Sequence, residues 1–102
     1  MQLTTTVEGS HATISGSGDW DIAHSAALRE ALGALVDDGI RTMVIDLSDV
    51  QFVDSTVLGV LVGVHKRLLD AGGSIRLTQP RAPVLRVLKL TALDRVFGLH
   101  SH

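Results

Sequence analysis

The sequence predicts an α/β domain in which helices pack on a mixed sheet of four or five strands. Three observations carry this. Segments with the two-residue period of strands alternate with segments of helical period along the later chain, which calls for right-handed parallel crossovers. The first two strand segments are separated only by Glu8-Gly9-Ser10, so they pair as an antiparallel hairpin. A length of 102 residues suits one domain, 1–102, that can bury most of the apolar surface its unfolded chain exposes.

In residues 2–8, QLTTTVE, Leu3, Thr5 and Val7 alternate with Gln2, Thr4 and Thr6, the pattern of a half-buried, β-branched strand. Residues 11–16 continue with Thr13 and Ile14, and Gly16-Ser17-Gly18 is expected to break that strand in a turn. Asp19 or Asp21 can cap the helix that follows. Its apolar positions Ala27, Leu28, Ala31, Leu32, Leu35 and Val36 recur at spacings of three and four, and Gly39 stops it.

Residues 42–47, TMVIDL, read as a short central strand covered on both faces, followed by a polar break. A second helix is expected over 56–70, ending at Ala71-Gly72-Gly73. Gly59 and Gly63 within it suggest close packing of helix on sheet, and His65 is placed toward solvent beside Lys66 and Arg67. SIRLTQ, 74–79, alternates as a strand. Pro83 suits the first turn of a third helix with Val84, Leu85, Val87 and Leu88 inward. Residues 93–97 fit either a final edge strand or a short helix.

Composition narrows the function. Aromatic residues make up 3% of the chain, so the core is aliphatic, and the formal net charge is −2. With no basic excess and no aromatic platform, direct nucleic-acid binding is not expected. Cysteine is absent, which removes disulfides and thiol chemistry. The apolar run 57–64 is too short for a bilayer span of ~20 residues, so no membrane insertion is expected and the natural compartment is the cytoplasm. GSGDWD lacks the G-x-G-x-x-G spacing, and no P-loop or G-x-S-x-G is present. No two histidines show the helical zinc spacing, and His100 and His102 offer adventitious metal binding at most. Neither a metal nor a cofactor is expected.

Asp54-Ser55-Thr56 stands where a strand ends and the second helix begins. Asp, Ser and Thr are ordinary helix caps, each worth ~1 kcal/mol. The same place, with free N–H groups and a partial positive charge, also accommodates a phosphate. Phosphorylating Thr56 or Ser55 would add ~1.5 to 2 negative charges beside Asp54 without necessarily unfolding the helix. The residues alone leave cap and switch both open.

VIDLSDVQFVDSTVLGVL resembles the pattern of the STAS domain of bacterial anti-sigma factor antagonists. That pattern is a strand ending in Asp-Leu, a short turn, an aromatic or apolar pair, then Asp-Ser-Ser/Thr-Gly-Leu-Gly and a long helix. GSGDWDIAHSAALREAL is similar to the family's other hallmark, a Gly-acidic-apolar-Asp turn leading into the first helix. AGGSIRLTQPRAPVLRVLKLTALDRVFGL resembles the closing region. The resemblance covers about residues 3–99 and implies a single STAS-like domain that is a binding switch and not an enzyme. In the family, the unphosphorylated antagonist binds an anti-sigma factor, often a serine/threonine kinase, and frees the sigma factor. Phosphorylation separates the two and a phosphatase resets the system.

On this resemblance Thr56 is the phosphoacceptor, with Ser55 the second candidate. Asp21, Asp54, Ser55, Thr56, Val57 and Leu58 are the partner-binding residues, and the loop of Asp21 should lie near the motif across the sheet edge. The partners implied are an anti-sigma factor kinase and a phosphatase. One position departs: Val57 stands where the family has Gly, which would add bulk beside the hydroxyl. The resemblance also admits an interaction subunit or domain of a membrane transport complex, either a lipid-transport ABC complex or an anion transporter. An enzyme with Thr56 or Ser55 as nucleophile would need a base held near the hydroxyl.

Overall fold

A computed structural model describes residues 2–99. His100 and His102 lie outside the described residues. Strands β1 (Gln2–Glu8) and β2 (His11–Trp20) form the predicted hairpin, helix α1 (Ile22–Asp37) follows, and then strand β3 (Thr42–Val53). Helix α2 (Ser55–Asp70), strand β4 (Ser74–Thr78), helix α3 (Ala82–Leu90) and the one-turn helix α4 (Leu93–Val96) complete the chain. The sheet order is β1-β2-β3-β4, with β1 antiparallel to β2 and the pairs β2–β3 and β3–β4 parallel. The sheet is therefore mixed and four-stranded. The segment 93–97 resolves as a helix, while the carbonyl of Phe97 accepts from the Leu77 N–H at 3.2 Å along the outer side of β4.

Two successive right-handed crossovers step in the same direction across the sheet, so α1 and α2 fall on one face and pack against each other. Under them lie Ala12 and Ile14 of β2, Met43, Ile45 and Leu47 of β3, and Ile75 and Leu77 of β4, all buried. The opposite face carries Thr42, Val44 and Asp46, which are only half-buried. The expectation of a central strand covered on both faces is met in part: α1 and α2 cover one face, α3 also packs on β3, and the residues of the second face stay half-buried. At their far ends the two helices are joined by Arg67 and Asp37 (2.6 Å), an exposed pair worth under ~1 kcal/mol.

The predicted break at Gly16-Ser17-Gly18 does not occur. β2 runs on to Trp20, and β3 runs six residues past its expected end at Leu47 to Val53. Ser15 and Ser17 pair with Asp46 and Asp49, and Gly18 and Asp19 with Val50 and Phe52, so β3 carries one extra residue at each of two bulges. The polar stretch after Leu47 is accommodated as bulged strand, and bulges at this end of a sheet re-aim the side chains that follow. Gly16 serves packing and not a turn: a Cβ there would overlap the Trp20 ring, which is fully buried against it.

Candidate functional site: two capped helix N-termini side by side

The bulges bring β2 and β3 to the same finishing line. Trp20 and Val53 are register partners, and each is followed at once by an aspartate. The Asp54 N–H donates to the Trp20 carbonyl at 3.2 Å, which fastens the second turn to the first. Asp21 is the N-cap of α1, its Oδ1 accepting from the Ala23 N–H at 3.1 Å. Asp54 is the N-cap of α2, its Oδ1 accepting from the Val57 N–H at 3.1 Å. Of the two caps considered for the first helix, Asp21 fills the role and Asp19 remains in the strand. Two helix N-termini, each with a partial positive charge and each closed by a carboxylate, thus stand side by side.

The same assignment separates cap from hydroxyls. Since Asp54 caps α2, Ser55 and Thr56 occupy its first two helical positions. Ser55 is exposed and Thr56 half-buried, and neither hydroxyl makes a hydrogen bond among the described residues. Both are free for other chemistry. Among the described residues no base is hydrogen-bonded to either, the contact that the nucleophile reading asks for. Neither segment, 19–24 or 52–59, contains Lys or Arg. His24 Nδ1–H donates to Asp21 Oδ1 at 2.9 Å, across one turn of α1.

Val57 and Leu58 do not belong to this surface. Their side chains are 0% and 5% exposed and pack in the core, because the helical turn points them at the sheet when Ser55 and Thr56 point away. In the free domain neither side chain is offered to a partner. The bulk by which Val57 departs from the family Gly lies inside the domain.

Gly59 and Gly63 are corrected in the opposite sense. Both are exposed, and a Cβ at either would meet nothing within 4 Å. They extend the Ser55 side of α2 at four-residue spacing as a smooth, open strip, and make no close contact with the sheet. Glycine inside a helix costs about 1 kcal/mol relative to alanine. Gly59→Ala is therefore expected to stabilise the domain by about 0.5–1 kcal/mol in urea unfolding; a loss of stability would show hidden crowding there.

Sequence reasoning missed two residues of this surface. Ile22, in the first turn of α1, is 72% exposed, and Phe52, two residues before Asp54, is 46% exposed. Ile22 directly follows one capping Asp and Phe52 precedes the other by two residues, and both leave large apolar surface open. The signal in the sequence was there, a large apolar residue within two positions of each capping Asp, but Phe52 falls beyond the strand end expected at Leu47 and only the bulged continuation of β3 shows it outward. His65 was misplaced for a related reason. Its ring is half-buried edge-on to Phe97 (centroids 5.8 Å apart, planes at 69°), because the segment after α3 returns over α2.

Comparison with known proteins now bears on this arrangement. The STAS domain family matches residues 2–102. The chain belongs to that family. Among curated relatives, the anti-sigma-B factor antagonist of Bacillus subtilis is 34% identical over 85 residues, covering 83% of this chain and 77% of that protein. A relative from Thermotoga maritima is 38% identical over 66 residues, 65% of this chain, and the match spans only 58% of that protein. The crystal structure of an anti-sigma factor antagonist from Mycobacterium paratuberculosis superposes with a TM-score of 0.86 at 29% identity, over 99% of this STAS domain and 86% of that chain. The Bacillus cell fate determinant SpoIIAA in its phosphorylated form has the same fold, with a TM-score of 0.76 at 18% identity over 93% of this chain and 87% of its own. Among the described residues no helix of this domain is long and apolar enough to cross a membrane.

Proposed function

We propose that this STAS domain is an anti-sigma factor antagonist, a regulatory binding protein and not an enzyme. In this reading it binds an anti-sigma factor through the surface around Asp21, Asp54, Ser55 and Thr56. Phosphorylation of Thr56 by that anti-sigma factor, acting as a serine/threonine kinase, ends the complex. A phosphatase restores it, and the cycle runs in the cytoplasm, where sigma factors act. The observation that carries the reading is the pair of capped helix N-termini, with two hydroxyls beyond the cap, unbonded and flanked by exposed Ile22 and Phe52. Its companion is the family membership, with relatives that are antagonists of anti-sigma factors.

The physical logic is one of surface chemistry. Ile22, Phe52 and the glycine strip offer an apolar, close-approach patch of the kind that supplies interface energy. A phosphate on Thr56 sits at the positive end of α2, so the fold tolerates it. For a docked partner it brings charge and bulk into the middle of the patch, with Asp21 and Asp54 already negative and no Lys or Arg in either segment to absorb it. Ser55 is the more exposed hydroxyl; Thr56 is favoured by its place in the motif. Incubation with the cognate anti-sigma factor and ATP, followed by mass-spectrometric mapping, is expected to find one phosphate on Thr56. A partner that binds the chain and leaves it unmodified removes the switch, and modification at Ser55 alone reassigns it.

A further inference from the structure

The two edges of the sheet are built differently. β4, at one edge, is five residues long, carries Arg76, and has its Leu77 N–H taken by the Phe97 carbonyl. β1, at the other, is seven residues long and pairs on one side only. Natural edge strands are commonly guarded by lysine, proline, a bulge or a covering segment. Among the described residues β1 has none of these: its register with β2 is unbroken, and between Gln2 and Val7 it has no charge and no proline.

The hairpin fixes which main-chain groups are open. Glu8 and His11 are partners across the two residues Gly9-Ser10, with Gly9 at φ +63°. A two-residue turn is closed by a hydrogen-bonded pair, and such pairs alternate along an antiparallel ladder. The N–H and C=O groups of Gln2, Thr4, Thr6 and Glu8 thus face β2, and those of Leu3, Thr5 and Val7 face outward. Leu3, Thr5 and Val7 also share the sheet face of Gly16, Ile14 and Ala12, to which they are paired. Yet they are only partly covered: Val7 is 54% exposed, Thr5 is exposed, and Leu3 packs against the core but stays half-buried.

We propose that two copies of this chain pair antiparallel through β1, about a two-fold axis at Thr5, to form a continuous eight-stranded sheet. The strand is complementary to itself in that register. Thr5 meets Thr5, Leu3 meets Val7, Thr4 meets Thr6 and Gln2 meets Glu8. The outward main-chain groups of Leu3, Thr5 and Val7 all find partners, giving roughly six hydrogen bonds across the seam. The one charged residue, Glu8, meets Gln2 and not another carboxylate. The two apolar pairs cover Leu3 and Val7 on the face that each domain leaves open. The partners of β1 on β2 end at Ser17, short of Trp20, so the seam does not occupy the capped helix ends. The proposal is independent of the antagonist reading.

Sedimentation velocity on the whole chain from about 10 μM to about 1 mM is expected to show a monomer–dimer transition, as suits a contact at the small end of specific interfaces. Thr5→Pro removes an N–H that only the second copy uses, and edge strands accept proline at such positions. It is expected to weaken the dimer at least ~10-fold, with the far-UV spectrum unchanged. Should Thr5→Pro fail to fold, Val7→Lys sets a charge in the apolar pair and is expected to do the same. A monomer throughout the range, or a dimer indifferent to whichever of these variants folds, overturns the proposal.

Discussion

Thr56→Glu is expected to abolish most binding to the anti-sigma factor, by at least ~10-fold and so by about 1.4 kcal/mol or more, while leaving the domain as stable as before. The two halves of this expectation have the same origin. At the second residue of α2 a carboxylate faces the helix's own positive end, which contributes about 0.3–1 kcal/mol in its favour. The neighbouring carboxylate of Asp54 opposes it, so the net effect on folding is small. On the partner's side there is no such offset. A charge placed beside the exposed Ile22 and Phe52 must either be desolvated or hold the partner off. Thr56→Val, which keeps the shape and removes the hydroxyl, is expected to bind and to be unresponsive to kinase and ATP. Calorimetric titration of both variants separates occupancy of the surface from its switching.

The largest effect on stability is expected from Trp20→Ala, about 3–5 kcal/mol. Domains of this kind are stable by only about 5–15 kcal/mol, so roughly a fifth or more of the total is at stake. Trp20 is fully buried, fills the space over Gly16, and ends the strand whose last carbonyl holds Asp54. Its loss empties the site beneath both caps. Because it is the only tryptophan, the unfolding must be followed by far-UV circular dichroism in urea. A cost under about 1 kcal/mol would mean that the ring does not hold the two helix starts together.

Much of this was legible from the sequence, and what was not has identifiable causes. The element order followed from periodicity and turn residues, since those are local properties. Asp54-Ser55-Thr56 was placed correctly at a helix start, but which residue capped it required the hydrogen bond from Val57. The bulged continuation of β2 and β3 was not readable, because Gly16 and Gly18 look like a turn until a partner strand supplies register. From sequence Gly59 and Gly63 look like packing glycines. The pattern shows that they share a face with Ser55, but only the tertiary fold says that this face is open. The neighbours Lys66 and Arg67 suggest an exposed His65, while its contact comes from Phe97, far along the chain. Val57 was the residue that set this chain apart from its family pattern, and its burial makes that difference a matter of core packing.

The central claim is that a phosphate on Thr56 governs whether this STAS domain holds an anti-sigma factor. The direct measurement is the affinity of the cognate anti-sigma factor for the unmodified chain and for the chain phosphorylated at Thr56 alone, compared by calorimetry. The account predicts tight binding before modification and at least a ~10-fold loss after it, with unfolding midpoints within about 1 kcal/mol of each other. Equal affinities for the two forms would contradict it.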